Sequence, residues 1–373
     1  MNQNHAFKRP DSIEQIRAEV RGTPFRPAKK SVKQVVTKPD PDDCRYLLAI
    51  ATGNRWMELG EREPQAQMLF GELWFQNELC ILFADTNVGK SVLAVQVGHS
   101  IAQGRAIAPF YLQAPPATVL YIDFELSTQQ FYRRYSNDKQ VFKFSENFYR
   151  AQFNTGYQPA GDYTQDDDLL IAAIDYKIRL VHATVLIIDN ISCLRGGTEN
   201  ASVALHLMKN LKNLKTDHNL SILVLAHTPK RRNPGQPLSA DDLHGSKLLI
   251  NLADSAFAIG TSSADRQLRY LKQIKQRSSA QVYGEDHICL CRIVKPHHFL
   301  QMQFEGHSHE RLHLRTRHML NREILAPKVA ELAAKGYKQR QISSELCIAV
   351  GLVNKLMPGK VPVIGAVITQ SAG

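Results

Sequence analysis

The sequence has no CxxC pair, no uninterrupted apolar run long enough to cross a bilayer and no internal repeat. Its six cysteines (Cys44, Cys80, Cys193, Cys289, Cys291 and Cys347) are scattered, several of them inside apolar runs. That pattern excludes a disulfide framework and reads as reduced, buried thiols. The first residues, MNQNHAFKRPDS, carry no apolar core of a secretory signal, so a cytoplasmic location without a membrane partner is expected. Six histidines (His297, His298, His307, His309, His313 and His318) crowd one stretch, but they lack the Cys pairs and the regular spacing of a structural zinc site.

What is present is enough for a core and weighted toward one charge. Hydrophobic residues make up 43%, as in an ordinary globular protein. The formal net charge of +11 favours a polyanionic partner, although a nucleotide binder needs some positive charge in any case. Residues 1–43 are polar, basic and Pro-containing, and read as a mobile arm that either touches DNA or is a solvated tail. A short helix is expected from Arg45 to Met57.

From Gly71 to Val294 strands and helices alternate, which implies an α/β fold with a mostly parallel sheet. Apolar runs at 80–84, 118–124, 184–190 and 221–227 read as central strands, with two more near Ser255–Ile259 and His287–Val294. Helices are expected over Ser91–Gln103, around Ser127–Tyr135 and over Ser202–Lys215. The ATPase domain is placed at 44–296, followed by a His-rich connector at 297–319, a helical segment at 320–358 and a tail at 359–373.

The segment Ala84-Asp85-Thr86-Asn87-Val88-Gly89-Lys90-Ser91 lies between an apolar strand and a helix. It fits a phosphate-binding loop except that Ala84 stands where the pattern has its first Gly. Such a turn aims backbone N–H groups at phosphates; Lys90 adds a cation for the β- and γ-phosphates, and Ser91 offers a hydroxyl to Mg²⁺. ATP and Mg²⁺ are therefore the expected cofactors. VLIIDN (185–190) ends a β-branched run in Asp189, whose carboxylate would be costly to bury without a partner such as a Mg²⁺-bound water; Asn190 is placed to assist.

The order and spacing of these motifs resemble the RecA-like ring ATPases, and most closely the plasmid RepA-type and replicative DnaB-type hexameric helicases. The resemblance covers the central three-fifths of the chain. It implies that Glu125, in YIDFELS (121–127), activates the attacking water; Asp123 is the competitor, and a helix-capping acid is the plain alternative. It implies that His227 is a γ-phosphate sensor, followed by a DNA-facing loop in which Lys230, Arg231 and Arg232 would contact phosphates, unless they are only a solvated run. His244 stands where the helicases commonly carry Arg. Lys275 and Arg277 match the family's K-x-R, which supplies a lysine and an arginine finger to the neighbouring subunit's ATP; a basic exposed sheet edge is the alternative. A ring, most naturally a hexamer, working on single-stranded DNA in plasmid or mobile-element replication or transfer follows as the expected function, with an ATP-dependent DNA-binding regulator as the alternative. The segment 336–357 has a helix-turn-helix look. Ile342, Leu346, Ile348, Val350 and Val353 would pack its helices, and Asn354 and Lys355 would face DNA, if it is more than a helical cap.

Overall fold

The computed structural model describes residues 49–154, 156, 167–191, 201–228, 235–243, 247–314, 317–346 and 348–357. Helix α1 (Gly53–Arg62) leads to a small ribbon of β1 (Met68–Phe70) and β2 (Trp74–Phe75). The main body then runs β3 (Leu79–Ala84), α2 (Lys90–Gln103), β4 (Val119–Asp123), α3 (Thr128–Arg134), β5 (Phe148–Ala151), α4 (Asp167–Val181), β6 (Val185–Asp189), α5 (Ala201–His218), β7 (Ser221–His227), α6 (Lys247–Leu252), β8 (Ser255–Thr261), β9 (Leu268–Lys275), β10 (Ile288–Val294) and β11 (Gln301–Ser308). Three further helices close the described chain: α7 (Arg317–Ala334), α8 (Gln339–Glu345) and α9 (Val350–Leu356).

The nine main strands lie in the order β11-β10-β9-β8-β3-β7-β6-β4-β5. From β8 to β5 neighbours are parallel, and β9, β10 and β11 add antiparallel strands at one edge. All six residues of β3 are buried, because strands flank it on both sides and helices cover both faces. Successive side chains alternate between the two cores, as the strand pleat demands. Cys80, Leu82 and Ala84 join α2, while Leu79, Ile81 and Phe83 join α4, α5 and α6. Gly98 lets α2 lie close to the sheet, since a Cβ there would meet Ile187 Cδ1 at 2.9 Å. Cys80, Cys289 and Cys291 are buried and free, and burial pushes the Cys289 thiol up to about 12.

Several expectations need correction. The stretch 297–319 is not a connector. It holds β11, which pairs with β10 along its length and is bonded to α2 through the Gln96 amide, which donates to Met302 O at 3.0 Å and accepts from Met302 N–H at 2.8 Å. Placing Glu125 one water from the γ-phosphate had asked for its strand to lie next to the phosphate-loop strand, but β4 is not adjacent to β3; β7 and β6 lie between them. Among the described residues the first helix begins at Gly53 and runs on to Arg62, capped by the Thr52 hydroxyl. Strand β5 and helix α4 are additions to the expected elements.

At the C-terminal end, Ile342 and Val353 are fully buried together with Val329 of α7 and Leu356, with Leu346 and Ile348 packed beside them. Val350 is instead 40% exposed. The two short helices therefore share a core with α7. The arm and tail expected at 1–43 and 359–373 lie outside the described residues. Among the described residues no helix is long and apolar enough to cross a membrane.

Candidate active site

The phosphate-loop segment sits where β3 gives way to α2, at the C-terminal end of the parallel strands, where open α/β sheets place ligands. Gly89 is the helix N-cap, with φ +112 and no capping side chain. The amides of the first turn, which have no acceptor within the helix, are thus left to an external anion. Ala84 explains its own departure from the pattern. It is the last residue of β3, paired with His227 and Ile259, an extended position that asks nothing special of glycine. Positive φ falls at Asn87 (62°) and Gly89.

Lys90 is 6% exposed. Its Nζ donates to Ala84 O (2.9 Å), Asp85 O (3.0 Å) and His227 Nδ1 (3.1 Å). Burial lowers its pKa, and the charges of Asp189, Glu125 and Asp85 oppose that fall. Because an ammonium only donates, His227 Nδ1 is the acceptor and the ring proton sits on Nε2. Nε2 lies 3.2 Å from Glu125 Oε1. Asn190 Nδ2 donates to the same oxygen and is 2.8 Å from the ring nitrogen. The Glu125 carboxyl is held below its ordinary value, chiefly by the His227 hydrogen bond and against desolvation.

Glu125 thus reaches the phosphate loop from the third strand away, crossing over the end of β6. Asp123 does not compete for that place. Its Oδ1 accepts from Glu125 N–H (3.0 Å) and Leu126 N–H (2.8 Å), and its Oδ2 pairs with Arg150 Nε (3.0 Å) and Nη2 (2.9 Å). It shapes the turn that carries Glu125. The capping acid is excluded too, since Ser127 caps α3 in a capping box with Gln130. Arg150, on the unforeseen strand β5, gave no signal in sequence.

Asp189 is fully buried at the end of β6. Tyr121 Oη donates to its Oδ2 at 2.6 Å, while Oδ1 has no hydrogen-bond partner among the described residues. Burial pushes its carboxyl up to about 6, and the nearby Ser91 and Tyr121 hydroxyls work against that rise. A buried carboxylate oxygen without a partner, facing a serine hydroxyl at a helix start, suits a hard, oxygen-seeking cation. Mg²⁺ with a nucleotide therefore fits the residues present, with Ser91 and Asp189 as the metal side and Lys90 and the loop amides as the phosphate side.

Lys275 and Arg277 lie elsewhere. In register, Lys275 is level with Ala256 of β8, and Ala256 with Ile81 of β3, so both cations sit toward the far end of the sheet from Ala84. About five residues, or about 16 Å along the strand direction, separate Arg277 from the level of Ala84. Lys275 Nζ donates to Ile250 O (2.7 Å) and Asn251 O (3.0 Å). Arg277 reaches Asn251 O (3.0 Å) and Asp254 (3.4 Å), and its side chain is 51% exposed. The strand ends at Lys275, and both cations turn to the Asn251 carbonyl. Lys230, Arg231, Arg232 and His244 lie outside the described residues. Asn354 and Lys355 are exposed on α9, remote in sequence from this site.

A phosphate loop on a central strand of a mostly parallel sheet, answered by a buried acid, a bridged glutamate and a histidine on neighbouring strand ends, is the arrangement of a RecA-like P-loop ATPase. The family model described as an AAA domain matches residues 47–233, half of the chain, and the protein belongs to that family of P-loop ATPases. A search of curated proteins finds no match.

The raised Asp189 carboxyl makes a stability prediction. Its folded-state pKa of about 6 lies above the unfolded value, so this group favours the fold at low pH and the advantage is lost as pH rises through about 6. Two pKa units correspond to at most about 3 kcal/mol. Asp189→Asn should accordingly raise the melting temperature of the nucleotide-free protein at about pH 8 and change it little at about pH 4. Added Mg²⁺ and ATP should then stabilise the unsubstituted protein much more than the variant. Equal melting curves at high pH would mean the buried carboxylate already has a partner.

Proposed function

We propose that the protein is an ATP-dependent DNA translocase or helicase that works as a ring, a hexamer, on single-stranded DNA in plasmid or mobile-element replication or transfer. The observation that carries this reading is the separation of two halves of one chemistry. Lys90, Ser91, Glu125, Asp189 and His227 gather at one end of the sheet, and Lys275 and Arg277 lie toward the other, about 10 Å and about 16 Å along the strand direction from the level of Ala84. A protomer whose cations cannot reach its own phosphate loop suits a head-to-tail assembly, which closes as a ring. Helix α1 supports self-association, since none of its residues is buried and Ile50, Trp56 and Met57 beside or within it are 97%, 50% and 76% exposed.

In this reading Glu125 takes the proton of the attacking water on a carboxylate oxygen, with His227 and Asn190 holding that carboxylate in place. Lys90 and the loop amides bind and orient the phosphates, and Ser91 and Asp189 hold the metal. Bound Mg²⁺ would neutralise charge on the β- and γ-phosphates. His227, bonded to both Lys90 and Glu125, links the phosphate cation to the base and then continues into the chain carrying Lys230, Arg231 and Arg232.

The test is the ATPase rate with and without single-stranded DNA, measured beside the particle mass. A DNA-stimulated ring supports the reading, and an unstimulated monomer overturns it. The net charge of +11 predicts DNA binding that weakens steeply with salt. Removing the charges of Lys230, Arg231 and Arg232 should flatten the log–log salt slope by about 2, at about 0.7 per phosphate contact on a single strand, with ATP affinity unchanged. An unchanged slope would return those residues to the solvated surface. The C-terminal helices, with a core of their own and Asn354 and Lys355 exposed, favour a second reading as a DNA-binding regulator. DNA-stimulated hydrolysis without separation of a forked duplex would select it.

A further inference from the structure

Glu310 and Lys272 form a buried ion pair outside the active site. Glu310 is 0% and Lys272 4% exposed, with Nζ 2.5 Å from Oε2. Removing two charges from water is costly, and apolar residues of similar size often serve stability as well or better, so such a pair calls for another reason. The remaining bonds of the two side chains supply it. Glu310 Oε1 accepts the Leu238 N–H at 2.8 Å, and Lys272 Nζ donates to the Leu238 carbonyl at 2.7 Å. Tyr270 Oη also donates to Oε1, at 3.0 Å, and the Glu285 carboxylate stands 3.6 Å from Nζ. The pair grips both backbone groups of one residue, which apolar substitutes could not do.

Leu238 belongs to the chain that follows the His227 strand. That chain is tied to the phosphate loop at its start, where Thr228 N–H donates to Ala84 O at 3.0 Å. Further on it meets the finger strand three times in succession: Leu238 at Lys272, Ile250 and Asn251 at Lys275, and Asn251 and Asp254 at Arg277. Only the first of these contacts is fully buried and has a carboxylate dedicated to it.

We propose that Glu310 and Lys272 are positioning residues that fix the finger strand to the chain leaving the sensor strand, so that Lys275 and Arg277 are presented in register with the protomer's own nucleotide site. This rests on the proposal above that these two cations act on a neighbouring subunit. Glu310 touches neither nucleotide nor DNA in this scheme; it acts through β9.

The experiment uses the full-length protein. Glu310→Gln keeps an oxygen for the Leu238 N–H but loses the ion pair. It should lower kcat about tenfold or more, the scale on which misplacing a catalytic group acts, with KM for ATP and particle mass unchanged. Mixed with an excess of Lys90→Ala protein, whose finger strand is intact, its own phosphate loops should regain activity, because the defect lies in what each protomer presents to its neighbour. An undiminished kcat, or a loss that intact neighbours do not repair once subunit exchange is confirmed by mass, overturns the proposal. If Glu310→Gln does not fold, the double variant Lys272→Met with Glu310→Leu, which leaves no buried charge unpaired because Glu285 is half exposed, takes the same readings. An Arg277→Ala protein assayed in parallel separates the two layers. If it keeps full activity, the finger reading fails first; if it is impaired and repaired while Glu310→Gln is unaffected, only the clamp fails.

Discussion

Glu125→Gln should bind ATP with nearly unchanged affinity and hydrolyse it about 10²–10⁴ times more slowly, the usual worth of a positioned general base. The amide keeps the size of the side chain and an oxygen for His227 Nε2–H and Asn190, so the local geometry survives. What it loses is an atom able to take the proton of the attacking water. Asp123→Asn makes the opposite expectation and so controls for it. The Asp123 carboxylate is committed to Arg150 and to two backbone N–H groups. Its neutral replacement leaves Arg150, whose side chain is only 15% exposed, without its counter-ion. Breaking a buried pair from one side costs about 3–5 kcal/mol, which thermal melting would register while the hydrolytic step itself stays possible. Single-turnover hydrolysis and ATP binding, measured beside melting curves, distinguish the two. A hydrolysis-dead Asp123→Asn protein with a normal melting temperature, beside an active Glu125→Gln, would reverse the assignment.

How far this site could be read in the sequence follows from how local each part is. The phosphate loop is eight consecutive residues between a strand and a helix, and every element of it fell where expected, with Ala84 accounted for by its strand position. The place of Asp189 at the end of a buried strand was legible because a β-branched run ended on an acid. That Asp123 is committed to Arg150 was not legible, because Arg150 lies 27 positions away on a strand of four half-buried residues that shows no alternation. Sheet order was hidden for a related reason. Parallel crossovers let β7 and β6 enter between β3 and β4, and no local pattern records which strands become neighbours. Strand β11 was obscured by the histidines within and around it. Their crowding drew attention to composition, while Met302 and Phe304 pack inward and His307 stacks on His287 at 4.1 Å.

The last expectation concerns Arg277, and it tests the assembly rather than the protomer. Arginine fingers supply about 10³–10⁵ in rate by stabilising charge as the phosphoryl group departs. Arg277→Ala should therefore bind ATP almost normally and hydrolyse it more slowly by a factor in that range, because the lost contact belongs to the transition state. Its present contacts offer little reason for a structural effect. They are one carbonyl and a 3.4 Å approach to Asp254, which keeps Lys215 at 2.8 Å and the Leu79 N–H at 2.9 Å without it. If the cation acts between subunits, each complete site draws Lys90, Ser91, Glu125 and Asp189 from one protomer and Arg277 from the next. Arg277→Ala mixed with an excess of Lys90→Ala should then regain activity at those interfaces that join an intact phosphate loop to an intact finger. A cation acting within its own protomer predicts no recovery, and so does a purely structural one. The distance along the sheet already argues against the first, since about 16 Å exceeds the reach of an arginine side chain. Subunit exchange must be shown separately by mass. If exchange occurs and activity does not return, the case for a ring motor loses its main support, and the DNA-binding regulator becomes the better account of the same ATPase.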